Sequence, residues 1–278
     1  MVYLQQFLFV YTMSQVDKHA CMQLSIWRMY IIELISEMMY EVYKRVGISL
    51  LDYTMSQVDK HACMQLSIWR KNLKYEVTMK NIKNIVFDVG MVLVDFCWKE
   101  HCRNLGFDES VIEAFDQYMV MSDCWDQMDE GTMSEEKAIE YFVSVIPQYE
   151  AEIRKFWDTK EGFVKEYDYA TPMISRLQEK GYKVYLLSNY PKEMYQVHWP
   201  VFSFYNQVDG YIVSALECMR KPNPAIYKLL CERFALLPQE CLFIDDRQSN
   251  VDAAISVGMS GILFEEYEQL ADYLSCIM

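Results

Sequence analysis

The 278-residue sequence predicts an α/β protein: a doubly wound parallel sheet with a helical cap inserted after the first strand, preceded by an N-terminal helical extension. Three observations predict it. Five apolar runs, KNIVFDVG, YKVYLLSN, GYIVSALE, ECLFIDD and SGILFEE, have strand length and end in polar or glycine turns. Helix-period segments separate the later runs: TPMISRLQEK stopping at Gly181, NPAIYKLLCERF, and SNVDAAISV stopping at Gly258. Such alternation gives a parallel sheet covered on both faces. After the first strand, residues 97–168 hold only helical patterns, for example SVIEAFDQYMV and SEEKAIEYFVSVI, and are read as a cap above the strand ends. The core is accordingly assigned to 79–96 and 169–278.

Residues 1–78 have a different texture. The block YTMSQVDKHACMQLSIWR occurs at 11–28 and again, letter for letter, at 53–70. Ser14 and Asp17 have capping-box spacing, and Val16, Ala20, Leu24 and Trp27 then mark one apolar helix face. The segment reads as two or three amphipathic helices without recognisable chemistry, whose sticky face offers a route to self-association. A solenoid needs about three or more repeats to bury a continuous core. Exact identity between two copies fits a recent duplication or an assembly error better than an old structural repeat. Met79, directly before the first strand, is read as a natural start, and the repeated His19, His61, Cys21 and Cys63 are not a metal site on this reading.

Composition excludes several classes. Hydrophobic residues make up 52% and charged residues 24%, which is the profile of a globular chain. The net charge of −14 is concentrated after residue 78, where 18 basic side chains face 33 acidic ones. An acidic body argues against nucleic acid or an anionic membrane as partner and leaves room for a local basic pocket binding a small anion. No run reaches the roughly 18 apolar residues of a membrane span, and MVYLQQFLFVY lacks the basic flank and cleavage site of a signal peptide. Nine cysteines without a CxxC pair, Cys231 and Cys241 among them in apolar runs, read as reduced buried thiols of a cytoplasmic protein. Cys97, His101 and Cys102 make a poor zinc signature.

In an open parallel sheet, ligands bind beyond the carboxyl ends of the strands. Polar residues stand at four such positions: Asp88 after NIVF, Ser188 and Asn189 after VYLL, Lys221 in the loop MRKPNP, and Asp245 with Asp246 after CLFI. Each alone reads as a turn residue. The adjacent acids are less ordinary, since the following helix SNVDAA could be capped by Ser249 alone. Together the four suit phosphoryl transfer to a carboxylate. Asp88, ionised at neutral pH, attacks phosphorus. A Mg²⁺ held by Asp88, the Gly90 carbonyl, Asp245 and Asp246 offsets the repulsion between carboxylate and phosphate. Lys221 adds fixed positive charge, and the Ser188 hydroxyl with nearby N–H groups holds the other phosphate oxygens.

The stretches FDVGMVLVDF, LLSNYP, RKPNPAIY and FIDDRQSNVDAAISVG resemble, in order, the four motifs of the haloacid dehalogenase-like (HAD) hydrolase superfamily. They look most like the small-helical-cap branch of sugar-phosphate phosphatases (glucose-1-phosphatase-like) and the phosphatase domain at the N-terminus of epoxide hydrolase. The resemblance spans about residues 82–265. It implies a Rossmann-like sheet, Mg²⁺ as cofactor, Asp88 as nucleophile, Ser188 as phosphate ligand, Asn189 as a shaper of that pocket, Lys221 as the third-motif lysine and Asp246, assisted by Asp245, as the acidic metal site. One position departs. The commonest first motif has a second aspartate as general acid and base two residues after the nucleophile, and here that residue is Gly90. His101, Asp123 and Asp126 are the cap-side candidates to replace it.

The expectation is therefore a Mg²⁺-dependent phosphomonoester hydrolase of a small phosphorylated metabolite, with a sugar phosphate favoured. Its rivals are a dehalogenase-like hydrolase of another bond and a catalytically weak binding protein that kept the phosphate pocket.

Overall fold

Four consecutive buried residues, Asn84–Phe87, form the central strand β1 of a five-stranded sheet in the computed structural model, which describes residues 81–275. The duplicated block and Met79 lie outside the described residues. After β1 come β2 (Val94–Asp95), then α1 (Trp98–Asn104), α2 (Glu109–Phe115), α3 (Asp123–Asp129), α4 (Glu135–Val145) and α5 (Glu150–Asp158). The chain returns through β3 (Lys165–Glu166) to α6 (Ala170–Glu179), β4 (Lys183–Ser188), α7 (Lys192–His198), β5 (Gly210–Val213) and α8 (Ser214–Glu217). It ends with α9 (Pro224–Phe234), β6 (Cys241–Asp245), α10 (Gln248–Ser256), β7 (Ser260–Leu263) and α11 (Tyr267–Leu274).

All five sheet strands run parallel in the order β5-β4-β1-β6-β7. Register places Phe87 beside Leu186 and Ile244, so Asp88 emerges level with the ends of β4 and β6. Strand alternation sorts the core into two layers. Ile85, Phe87, Leu186 and Ile244 face one layer with Ile174 and Leu177 of α6 and Leu270 of α11. Val86, Leu187, Ile212 and Phe243 face the other with Tyr227 and Leu230 of α9 and Ala254 of α10. Strands buried on both faces are the reason these runs read as continuous hydrophobic stretches rather than alternating ones.

Two expectations are corrected in detail. Residues 97–168 are not purely helical, because β3 pairs antiparallel with β2 through Val94–Glu166 and Asp95–Lys165. This ribbon joins the inserted helices to the core, and two residues per strand are too few to leave a periodic signal. The run GYIVSALE splits after four residues into β5 and the short helix α8. The inserted helices pack around buried Trp98, Phe115, Phe142, Phe156, Trp157 and Phe163, with Phe156 and Phe163 stacked at 4.1 Å. Aromatic pairs of this kind add about 0.5–1.5 kcal/mol each beyond area burial. Ser122 and Ser134 cap α3 and α4 by accepting from the Trp125 and Lys137 N–H groups.

Candidate active site

The four polar positions predicted from strand ends converge. Asp88, just past β1 and 8% exposed, faces Lys221, whose ammonium is 1% exposed and lies 2.8 Å from Asp88 Oδ1 and 2.7 Å from Asp245 Oδ2. The Lys221 backbone is fixed by a reciprocal pair with Asn189: its N–H donates to Asn189 Oδ1 (2.8 Å), and Asn189 Nδ2 donates to its carbonyl (3.0 Å). Asn189 thus ties the end of β4 to the loop carrying the lysine.

Asp245 is saturated. Its Oδ1 accepts from the Arg247 N–H at 2.8 Å and from Asn250 Nδ2 at 2.9 Å, and its Oδ2 takes Lys221. Helix α10 begins at Gln248 without a side-chain cap, and Ser249, which could have capped it, lies inside its first turn. The backbone at the mouth of this helix is organised by Asp245 instead. Asp246 points to the opener side, and ligand oxygens of Asp88, Asp245 and Asp246 all lie within 4.8 Å of one another.

The electrostatics follow from one buried lysine serving two carboxylates. Burial pushes the Asp88 carboxyl up to about 7, with Lys221 pulling it down and Asp245 and Asp246 pushing it further up. Burial thus opposes the ionised form of Asp88, while its ion pair with Lys221 at 2.8 Å favours it. Burial alone would depress the Lys221 ammonium, but Asp245 and Asp88 outweigh it and hold it above the usual lysine range. Asp246 is also raised, by burial and then by Asp245. Three carboxylates against one ammonium leave uncompensated negative charge, and Asn250 Oδ1 on the same wall is buried without a partner. An all-oxygen donor set of this kind fits a hard divalent cation. Among the described residues, Cys97, His101 and Cys102 form no such group.

Asp88 opens into a cavity of about 210 Å³ beneath the inserted helices. Its far wall is Phe96, Trp125, Tyr190, Pro191 and Met194, while Asp88, Asn189, Lys221 and Asp246 make its floor. Ser188 is 1% exposed and is not part of the lining; its hydroxyl makes only a loose 3.5 Å contact with the Asn189 carbonyl. The turn after Asp88 is tight. Val89 N–H donates to Asp88 Oδ1 at 2.6 Å, Met91 takes a left-handed backbone (φ 59), and Met91 N–H donates to the Val94 carbonyl. Gly90 in this turn has open space around it, with nothing within 4 Å of where a Cβ would be.

The cap-side candidates fare differently. His101 lies inside the cap, bonded to Thr159 Oγ1 at 2.9 Å, with burial lowering its pKa. Asp123 is exposed, and Asp126 is engaged by Arg220 at 2.6 Å. None of the three lines the cavity. Asp129, one helical turn after Trp125 on α3, does, and the sequence reading passed over it. The i, i+4 spacing from a buried tryptophan was the available signal, since it puts both side chains on one helix face.

The profile of the haloacid dehalogenase-like hydrolases matches residues 82–258, and the chain belongs to that family. It is a hydrolase whose curated relatives include phosphatases. A sesquiterpene phosphatase of Aspergillus oryzae, astK, is 28% identical over 186 residues, covering 65% of this chain and 88% of that protein. Flavin mononucleotide hydrolase 1 of Arabidopsis thaliana is 28% identical over 54% of this chain and 60% of its own length. A HAD family enzyme of Bacteroides thetaiotaomicron, crystallised with magnesium and inorganic phosphate, shares the fold with a TM-score of 0.53 at 24% identity, over 68% of this chain and 98% of that one. Among the described residues no helix is long and apolar enough to cross a membrane.

Proposed function

We propose that the chain is a Mg²⁺-dependent phosphomonoester hydrolase acting on a small phosphorylated metabolite through an aspartyl-phosphate on Asp88. The observation that carries this reading is the buried Asp88–Lys221–Asp245 array opening, beside Asp246, into a cavity roofed by the inserted helices. Residues 97–168 act in it as a cap domain on the core of 79–96 and 169–278. Asp88, the Gly90 carbonyl and Asp246 would hold the cation, with Asp245, both of whose oxygens are taken, steadying Lys221. A bound divalent cation would neutralise charge between carboxylate and phosphate and orient the ester. Lys221 supplies a second fixed positive charge. For Ser188 to hold a non-reacting oxygen, as the sequence reading has it, its hydroxyl would have to leave Asn189 and reach into a cavity that it does not line in the free protein.

The sequence favoured a sugar phosphate. The lining favours an ester whose alcohol part is apolar or planar, because Phe96 and Pro191 offer no side-chain hydrogen bonds, Met194 only a weak acceptor and Trp125 a single indole N–H to a polyhydroxyl chain beyond the floor. The relatives named for a sesquiterpene phosphate and for flavin mononucleotide support that direction. Hydrolysis of an alkyl or prenyl phosphate should exceed that of hexose phosphates in kcat/KM. A preference for hexose phosphates would reverse this choice.

EDTA should abolish phosphate release, and added Mg²⁺ should restore it. The convergence of three acids counts against a dehalogenase, which needs no metal, so halide release from a 2-haloacid in EDTA would overturn the reading. Robust turnover by the wild-type chain would likewise remove the weak-binding-protein alternative. Gly90→Asp separates these further. Position 90 has room for the side chain, and if no other acid serves the site, its rate should rise by about 10²–10⁴-fold; a gain below tenfold means that the acid is already present elsewhere.

A further inference from the structure

We infer that Asp129 is the catalytic acid and base of this site, delivered from the cap in place of the aspartate that position 90 lacks. The inference rests on the phosphatase reading above.

Asp129 lines the cavity that Asp88 opens into. Its position is built by the junction between α3 and the core. The Ser214 hydroxyl, at the start of α8, donates to the Asp129 backbone carbonyl. Gly131, at φ +76, sits so close to Ala215 that an added Cβ would run into the Ala215 carbonyl. Arg220 clamps Asp126 on the same helix at 2.6 Å. Three tethers within six residues fix the last turn of α3 over the floor. The Asp129 carboxyl itself accepts no hydrogen bond among the described residues, so it is available to a ligand.

The other acid–base candidates on the cavity wall have partners or belong to the proposed cation site. His198 uses both ring nitrogens, Nδ1 with the Tyr190 hydroxyl and Nε2 with the Lys160 carbonyl, each at 2.7 Å. Lys221 is held between Asp88 and Asp245, and Asp88 and Asp246 face the cation side. Burial pushes the Asp129 carboxyl up to about 7, with Arg220 opposing and Asp126 and Asp88 adding to the rise, and Lys221 pulling it down. A carboxyl that carries its proton near neutral pH can give it away.

The chemistry balances. In the first step an Asp88 oxygen bonds to phosphorus, the bond from phosphorus to the alcohol oxygen breaks, and that oxygen takes the Asp129 proton and leaves as the alcohol. In the second step Asp129, now a carboxylate, removes a proton from water as the water oxygen bonds to phosphorus. The phosphorus bond to Asp88 breaks, inorganic phosphate leaves, and both aspartates return to their starting states.

Leaving-group dependence tests this. Asp129→Asn keeps the shape and the backbone carbonyl that Ser214 grips. The kcat/KM for hexyl phosphate, whose alkoxide needs a proton, should fall by about 10²–10⁴-fold and that for 4-nitrophenyl phosphate, whose phenolate leaves unaided, by less than about tenfold, while kcat falls for both because the shared hydrolysis of phospho-Asp88 loses its base. Adding Gly90→Asp in the Asp129→Asn background should restore the hexyl ester reaction. Equal losses of kcat/KM on both esters, or no loss of kcat/KM on hexyl phosphate, would overturn the assignment. A wild-type chain that hydrolyses neither ester with Mg²⁺ present sinks the phosphatase reading itself, a result distinct from an active wild type with an indifferent Asp129→Asn.

Discussion

Asp88→Asn eliminates turnover while the chain stays folded. The amide cannot attack phosphorus, and deletion of a nucleophile acts on the order of 10⁴–10⁶-fold in rate. Stability moves the other way. Asp88 is buried and its carboxyl is raised to about 7, so ionising it costs folding free energy in the absence of a cation. A group raised in the folded state imposes no penalty below its unfolded pKa, near 4, and its full penalty above about 7. The metal-free variant should therefore melt at or above the wild-type temperature at about pH 8, with the difference closing toward about pH 4. The amide oxygen can still accept from Lys221. Thermal melts at the two pH values, alongside phosphate release, check both halves; a variant that is inactive because it is unfolded contradicts the account.

Lys221→Met has the second-largest effect, and it strikes stability as well as rate. The ammonium is 1% exposed and joins Asp88 and Asp245 at 2.8 and 2.7 Å. Removing it leaves two buried carboxylates facing each other beside Asp246, and breaking a buried pair in this way costs about 3–5 kcal/mol. The loss shrinks as the pH falls, because the carboxyls then take up protons instead of standing charged and unpaired. Mg²⁺ should recover part of the stability by placing positive charge among the same oxygens, but little of the rate, since the charge facing the phosphate is missing. Denaturant unfolding with and without Mg²⁺ measures this. Equal stability of variant and wild type in EDTA would show that the lysine is not the electrostatic keystone of the floor.

The floor of the site was legible because the chain writes it in short contiguous words. NIVF-Asp88, VYLL-Ser188-Asn189 and CLFI-Asp245-Asp246 are each a buried strand followed at once by its polar end, and parallel register brings such ends to one edge. The roof was not legible. Helix α3 and its flank carry Asp123, Asp126, Asp129 and Glu130 within eight residues, and although i, i+4 spacing puts Asp129 on the helix face of Trp125, spacing alone cannot say that this face overlooks the floor. That choice is made by Ser214, Ala215 and Arg220, more than eighty residues further along the chain. His101 lies away from the cavity for the same kind of reason: its packing against Thr159 and Gly162, about sixty residues on, cannot be read from its own neighbourhood in the sequence. The turn into α10 is organised locally by Asp245, whose Oδ1 accepts from the Arg247 N–H two residues on, so no cap from Ser249 is used.

The account stands or falls on the covalent step at Asp88. Rapid mixing of the enzyme with 4-nitrophenyl phosphate and Mg²⁺, acid quenching and peptide mass spectrometry should find one phosphoryl group on the peptide bearing Asp88, absent in EDTA and absent from Asp88→Asn. A full burst of nitrophenol with Asp88 unmodified, or the phosphoryl group on any other side chain, would contradict it.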